Sequence, residues 1–190
     1  MTADVEVSVP LETSYEEVRT RLVRQDPTGA ILNDGEVELL GVETVAQDVD
    51  LSSDENPILN ALRRRSQSTV KCIRCIEISA AEVDPSLDHI VLRQRSLISP
   101  RGTRIKTELD SEEECLKAYA VDLKIVPEEN GCTLTMQMEV EYCKPLSPIA
   151  RWFADDYVQE RTKQACSDQI SALVTHLELD AAGCSELAAR

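Results

Sequence analysis

The chain of 190 residues carries 35 Asp and Glu against 20 Lys and Arg, a formal charge of −15, and is 42% apolar but only 3% aromatic. That length suits one domain with a single core, and the apolar share is too high for a disordered acidic tail. A pI of about 4.5 argues against nucleic acid, whose phosphates call for clustered Lys and Arg, and against non-specific adhesion to anionic lipid. The opening MTADVEVSVP has neither the basic nor the apolar part of a secretory leader, and no run approaches the ~18–20 apolar residues of a membrane span. A soluble, cytoplasmic protein is expected.

Val5, Val7, Val9 and Leu11 alternate with polar residues and predict an opening strand. Ser14-Tyr15-Glu16-Glu17 has the form of a capping box, and Tyr15, Val18 and Leu22 come next at helical spacing, so a helix is expected over 14–24. Asp26-Pro27-Thr28-Gly29 breaks it. A short helical turn over Ala30–Asn33 and a strand over Glu36–Val45 come after the break. Residues 46–66 begin acidic and turn-rich and end in Arg63-Arg64-Arg65, which predicts a surface insertion. Its basic run suits either the C-terminus of a short helix or a docking segment.

Strands are expected over Gln67–Ser79, Asp88–Ser99, Thr103–Leu109, Leu116–Val126 and Cys132–Cys143. In the last, Leu134, Met136, Met138, Val140 and Tyr142 alternate with Thr133, Thr135, Gln137, Glu139 and Glu141. Such alternation marks an antiparallel sheet with one wet face and one covered face. The C-terminal segment supplies the cover. Ser147-Pro148 gives an N-cap and first-turn pair, and Phe153, Val158, Thr162, Cys166, Gln169, Ile170, Leu173 and Leu177 recur every three or four residues. A helix from 148 to about 179 would span roughly 45 Å at 1.5 Å per residue. Residues 1–180 are read as one domain, with 181–190 as a flexible tail.

Seven cysteines are scattered without the spacing of a disulfide scaffold and read as reduced, small hydrophobes. Cys72 and Cys75 form a CxxC, but within a strand residues three apart face opposite ways, so no metal site is assigned. Neither His89 nor His176 belongs to a metal or catalytic motif, and no nucleophile elbow, phosphate loop or dinucleotide fingerprint occurs. No catalytic residue and no cofactor is assigned.

This order of a strand, short helices, a run of strands and one long C-terminal helix resembles the helix-grip fold of the START-like superfamily, which also holds the birch-pollen-allergen proteins and the polyketide cyclases. The residues that carry the resemblance are the opening VEVSVPLETSYEEV and the closing stretch from CTLTMQMEVEYCKP to THLE. It implies an α+β domain in which a curved antiparallel sheet of about six to seven strands wraps the C-terminal helix. It also implies a cavity that binds a lipid, sterol, isoprenoid or polyketide-like molecule. The 46–66 insertion and the scarcity of aromatic residues depart from the pattern.

Two polar residues interrupt the apolar faces. Arg74 is in phase with Val70, Cys72, Ile76 and Ile78, and Gln94 with Ile90, Leu92 and Ile98. A buried Arg needs an inward carboxylate, an anionic headgroup or water, unless a bulge shifts its phase and leaves it solvated. As ligand-binding candidates Arg74 and Gln94 would anchor the polar end, with Tyr119, Leu123, Met136, Met138, Tyr142, Cys166, Ile170 and Leu173 around the body. A fully packed core explains the same apolar residues. The function expected is carriage or sensing of a hydrophobic small molecule, with transient membrane contact if it is transferred. The alternatives are a cyclase or aromatase, in which Arg74, Tyr119 or Tyr142 would polarise a carbonyl, and a protein-interaction module. The last would use the acidic surface and the Trp152-Phe153 pair.

Overall fold

The computed structural model describes residues 1–32, 37–50, 69–81, 85–111, 116–143 and 148–179. The elements are β1 (Thr2–Leu11), α1 (Tyr15–Arg24), α2 (Thr28–Leu32), β2 (Glu38–Asp50), β3 (Thr69–Ser79), β4 (Ile90–Ser99), β5 (Gly102–Leu109), β6 (Leu116–Glu128), β7 (Gly131–Tyr142) and α3 (Pro148–His176). The seven strands form one antiparallel sheet in the order β1-β7-β6-β5-β4-β3-β2. Each strand from β2 to β7 pairs with its neighbour in sequence, and β1 closes onto β7. This is the expected α+β architecture, an open sheet with the long C-terminal helix laid against it. No helix of the described residues is long and apolar enough to cross a membrane.

The alternating strands predicted from β3 to β7 lie where they were expected, within a residue or two. β2 differs. It runs from Glu38 to Asp50, so residues 46–50 are strand rather than the start of a loop. The reason is two register shifts, between Leu39 and Gly41 and between Thr44 and Ala46. Each extra residue moves the side-chain phase by one and hides the strand from a period-two reading. α2 starts two residues earlier than expected because the Asp26 side chain accepts from the Thr28 amide at 3.1 Å, which turns the chain into the helix. The rest of the 46–66 insertion, with Arg63–Arg65, and the 181–190 tail lie outside the described residues, as do the side chains of Trp152 and Phe153.

Specific polar contacts fix the ends of the two longer helices. Ser14 caps α1 by accepting from the Glu17 amide at 3.4 Å, but the Glu17 carboxylate pairs with Arg21 instead of completing the box. The Tyr15 hydroxyl donates to the Ser99 carbonyl at 2.6 Å and sits 2.9 Å from the Thr103 hydroxyl, tying α1 to the β4–β5 turn. At the end of α3, Glu178 has φ 51° and the Leu179 amide reaches back to the Val174 carbonyl at 2.9 Å. Arg21 then donates to the carbonyls of Leu177, at 2.6 Å, and Glu178, placing a cation on the negative end of the helix. The β6–β7 hairpin requires Gly131. Its φ is +133°, and a Cβ there would lie 2.1 Å from the Leu11 carbonyl oxygen.

α3 packs across β1 and β7. Cys166, Ile170, Leu173 and Leu177 are buried on the helix, and Leu123, Ile125, Leu134, Met136 and Met138 are buried on the strands. Together with the inward residues of α1 and α2 they form one continuous core.

Candidate functional site

The apolar candidates come together within one buried cluster. Leu123 stands opposite Met136, and Val121 opposite Met138, across the β6–β7 ladder. The Cys166 thiol donates to the Met136 carbonyl at 3.6 Å, and Ile170 and Leu173 are buried on the same helix. Burial pushes the Cys166 thiol up to about 11, so it stays protonated at neutral pH and serves as packing rather than as a nucleophile. Tyr119 stands opposite Val140 and Tyr142 opposite Leu116, both half-buried and packed against the core.

Arg74 keeps its inward phase, because no register shift interrupts β3–β4 pairing, and it stands opposite Gln94. It therefore needs a partner, and the partner is a carboxylate. Arg74 Nη1 donates to Asp26 Oδ1 at 2.6 Å, to Thr28 Oγ1 at 2.8 Å and to Gln94 Oε1 at 3.4 Å. Gln94 Nε2 donates to Thr107 Oγ1 at 3.2 Å. The Thr28 hydroxyl has one proton for two acceptors, Asp26 Oδ1 at 2.8 Å and Gln94 Oε1 at 3.1 Å. Thr28, Gln94 and Thr107 are at most 1% exposed, while the side chains of Arg74 and Asp26 are 21% and 50% exposed. The network thus runs from a dry interior out to water. Burial acts to raise the Asp26 carboxyl, but the hydroxyl and amide of Thr28 and the Arg74 guanidinium outweigh it and hold it below its ordinary range.

Register places this network in a single row across the inner face: Thr44, Arg74, Gln94, Thr107, Val121, Met138 and Val5 on seven neighbouring strands. The row is polar over β2–β5 and apolar over β6, β7 and β1. At about 4.8 Å per strand, Arg74 and Met138 are roughly 19 Å apart along it. The adjacent rows, through Cys72, Ser96, Ile105, Leu123 and Met136 and through Val42, Ile76, Leu92 and Leu109, are almost wholly apolar. On β2 the inner face is open to solvent: Val42, opposite buried Ile76, is 41% exposed.

Among the described residues, Arg74 Nε and Oε1 of Gln169, a residue of α3 that is 2% exposed, are buried polar atoms with no hydrogen-bond partner. Sequence reasoning placed Gln169 only in the helical stripe; a polar residue in an otherwise apolar stripe was the signal. It also passed over Asp26 and Thr28 as a helix breaker and Thr107 as ordinary strand. Cys72 and Cys75 do alternate, Cys72 buried and Cys75 on the other face.

No protein-family model and no curated protein sequence matches the chain. Solved structures do. The ZhuI aromatase/cyclase from Streptomyces sp. R1128 is similar with a TM-score of 0.51 at 12% identity, over 94% of each chain. The di-domain aromatase/cyclase StfQ of the steffimycin biosynthetic pathway gives 0.51 at 10% identity; the match covers 94% of this chain and 52% of that one. A START superfamily protein from Mycobacterium smegmatis aligns more loosely, at 0.42 and 16% identity over 93% of this chain and 94% of that one. At such identities the likeness shows the fold alone, an α+β helix-grip fold.

Proposed function

We propose that the chain binds a hydrophobic small molecule with one polar end, its body along Leu123, Met136 and Met138 beside α3 and its polar end at Arg74 and Gln94. The observation that carries this reading is the single row that changes from a hydrogen-bonded Arg–Gln–Thr set to methionine and valine across the inner face. A buried polar network of this kind is costly unless its members are satisfied, and Arg74 Nε and Gln169 Oε1 are a donor and an acceptor left unused among the described residues. A ligand hydroxyl or carbonyl would use them. The flexible thioethers of Met136 and Met138 adapt to an irregular apolar body.

Native mass spectrometry of the purified chain, followed by organic extraction, tests the reading. A co-purifying lipid, sterol or isoprenoid near one-to-one stoichiometry is the expected result, and Arg74→Met is expected to lower its occupancy about tenfold, the worth of one charged hydrogen bond. A chain that is empty and takes up neither fluorescent fatty acid nor sterol would end it. The likeness to two aromatase/cyclases favours a second reading, in which Arg74 polarises a carbonyl of a polyketide-like substrate. Turnover of a linear polyketide mimic to an aromatic product, abolished by Arg74→Met, would distinguish it from carriage.

A further inference from the structure

The seven strands direct almost nothing charged to the inner face. Residues paired in register across it, row by row from β1 to β2, are uncharged, and among the described residues Arg74 is the one exception. The buried stripe of α3, from Thr162 to Leu177, is uncharged too. The helix α1 adds a buried cation, Arg19, at the β4–β5 turn. There burial raises the Tyr15 hydroxyl above its ordinary range, against the opposing pull of Thr103 and of Arg19.

Asp26 supplies the counter-charge to Arg74. Its Oδ1 stands 2.6 Å from Arg74 Nη1 and is held in place by a neighbour in sequence, accepting from the Thr28 amide at 3.1 Å and the Thr28 hydroxyl at 2.8 Å. Burial works against ionisation, but those donors and the guanidinium hold the carboxyl low, so it is charged at neutral pH. The remaining members of the network, Thr28, Gln94 and Thr107, are neutral. The polar end therefore sums to no net charge, although it is built around an arginine.

We propose that Asp26 makes this site select a ligand whose polar end is uncharged, an alcohol, ketone or ester, and turn away the carboxylic acid of the same body. The selectivity presupposes that a hydrophobic ligand binds here, as proposed above. A carboxylate beside Arg74 would stand roughly 7 Å from that of Asp26, where two like charges weaken binding about fiftyfold at an effective dielectric of about 20. The repulsion cancels much of the attraction to Arg74, and what is left does not repay taking an ion out of water. A hydroxyl or carbonyl oxygen sheds far less hydration and needs one donor, which Arg74 Nε provides. Without the Asp26 charge the balance turns. Arg74 would then meet a carboxylate as Arg104 on the outer face meets Asp122, with Nε and Nη2 on the two oxygens at 2.9 and 2.7 Å.

The experiment is competition loading of the full chain near neutral pH. Equimolar tetradecan-1-ol and tetradecanoate are offered together, and retinol and retinoate in a second series, with the bound ratio read by extraction and mass spectrometry. The unaltered chain is expected to hold the alcohol over the acid by at least about tenfold, and Asp26→Asn to move that ratio toward the acid by at least about tenfold. Adding Arg74→Met to Asp26→Asn should return the preference to the alcohol. Asp26→Ser, whose hydroxyl can still accept from the Thr28 amide, serves if the Asn variant does not fold. A turn that is merely loosened would lower both probes alike and leave the ratio where it was. An unaltered chain that loads acid as readily as alcohol, or a ratio that the Asp26 changes do not move, would overturn the selectivity and leave ligand binding standing. A chain that loads none of the four probes would overturn both.

Discussion

The two halves of the inner sheet face are built from the same alternating strands yet are covered differently. Over β1 and β7 the helix α3 lays Cys166, Ile170 and Leu173 against the apolar core around Met136 and Met138, with Gln169 a buried polar residue of its stripe. Over β2, β3 and β4 the cover is α2 and the turn before it, which contribute an aspartate and a threonine to Arg74 and Gln94, and Val42 is left 41% exposed. One half therefore stabilises the fold by burial and shape. The other keeps a hydrogen-bonded polar group at the boundary with water, where its loss costs little stability and its chemistry is accessible.

The largest effect should come from the covered half. Leu173→Ala removes a fully buried side chain of α3 and is expected to cost about 2–5 kcal/mol in urea unfolding. Arg74→Met should cost only about 1 kcal/mol, because its ion pair with Asp26 is partly solvated and Thr28, Gln94 and Thr107 still bond to one another. Equal losses for the two variants would erase the distinction between the halves. Acid should sharpen it. The Asp26 carboxyl is held below its ordinary value of 3.8, so the stability it lends is complete above that value and is lost as pH falls through the lowered one. In Asp26→Asn the decline of the urea midpoint below about pH 4 should be shallower than in the unaltered chain, while Asp122, also held low, continues to contribute. The smallest effect is expected at the open edge, where Val42→Thr should shift stability by less than about 0.5 kcal/mol.

The same contrast governs how much could be read from the chain. β7 was legible because every second residue from Cys132 to Tyr142 obeys one face, and α3 because its stripe runs unbroken by Pro or Gly. The phase of Arg74 and Gln94 was legible for the same reason. What Arg74 binds was not, since Asp26 is 48 positions away and sits in a turn that says only that a helix ends. Gly131 illustrates the opposite case: it sits in a Glu-Glu-Asn-Gly stretch between two alternating runs, while the approach of the Leu11 carbonyl that forbids a side chain there comes from a distant strand. β2 was half-legible because its two bulges reset the phase within LLGVETVAQD.

Those two bulges have a bearing on the life of the protein in a crowded cell. β2 is a terminal strand of the sheet, thirteen residues long, with Leu40, Val42 and Val45 exposed. A long, regular, apolar edge of that kind is a template onto which a second chain adds its own strand, the first step toward fibrils. Leu40 and Val45 are the extra residues of the bulges, so each breaks the even spacing of free amides and carbonyls that such a stranger would need, and Glu43 and Asp48 add charge beside them. The irregularity that conceals the strand from a reader of the sequence also makes it a poor template for another polypeptide.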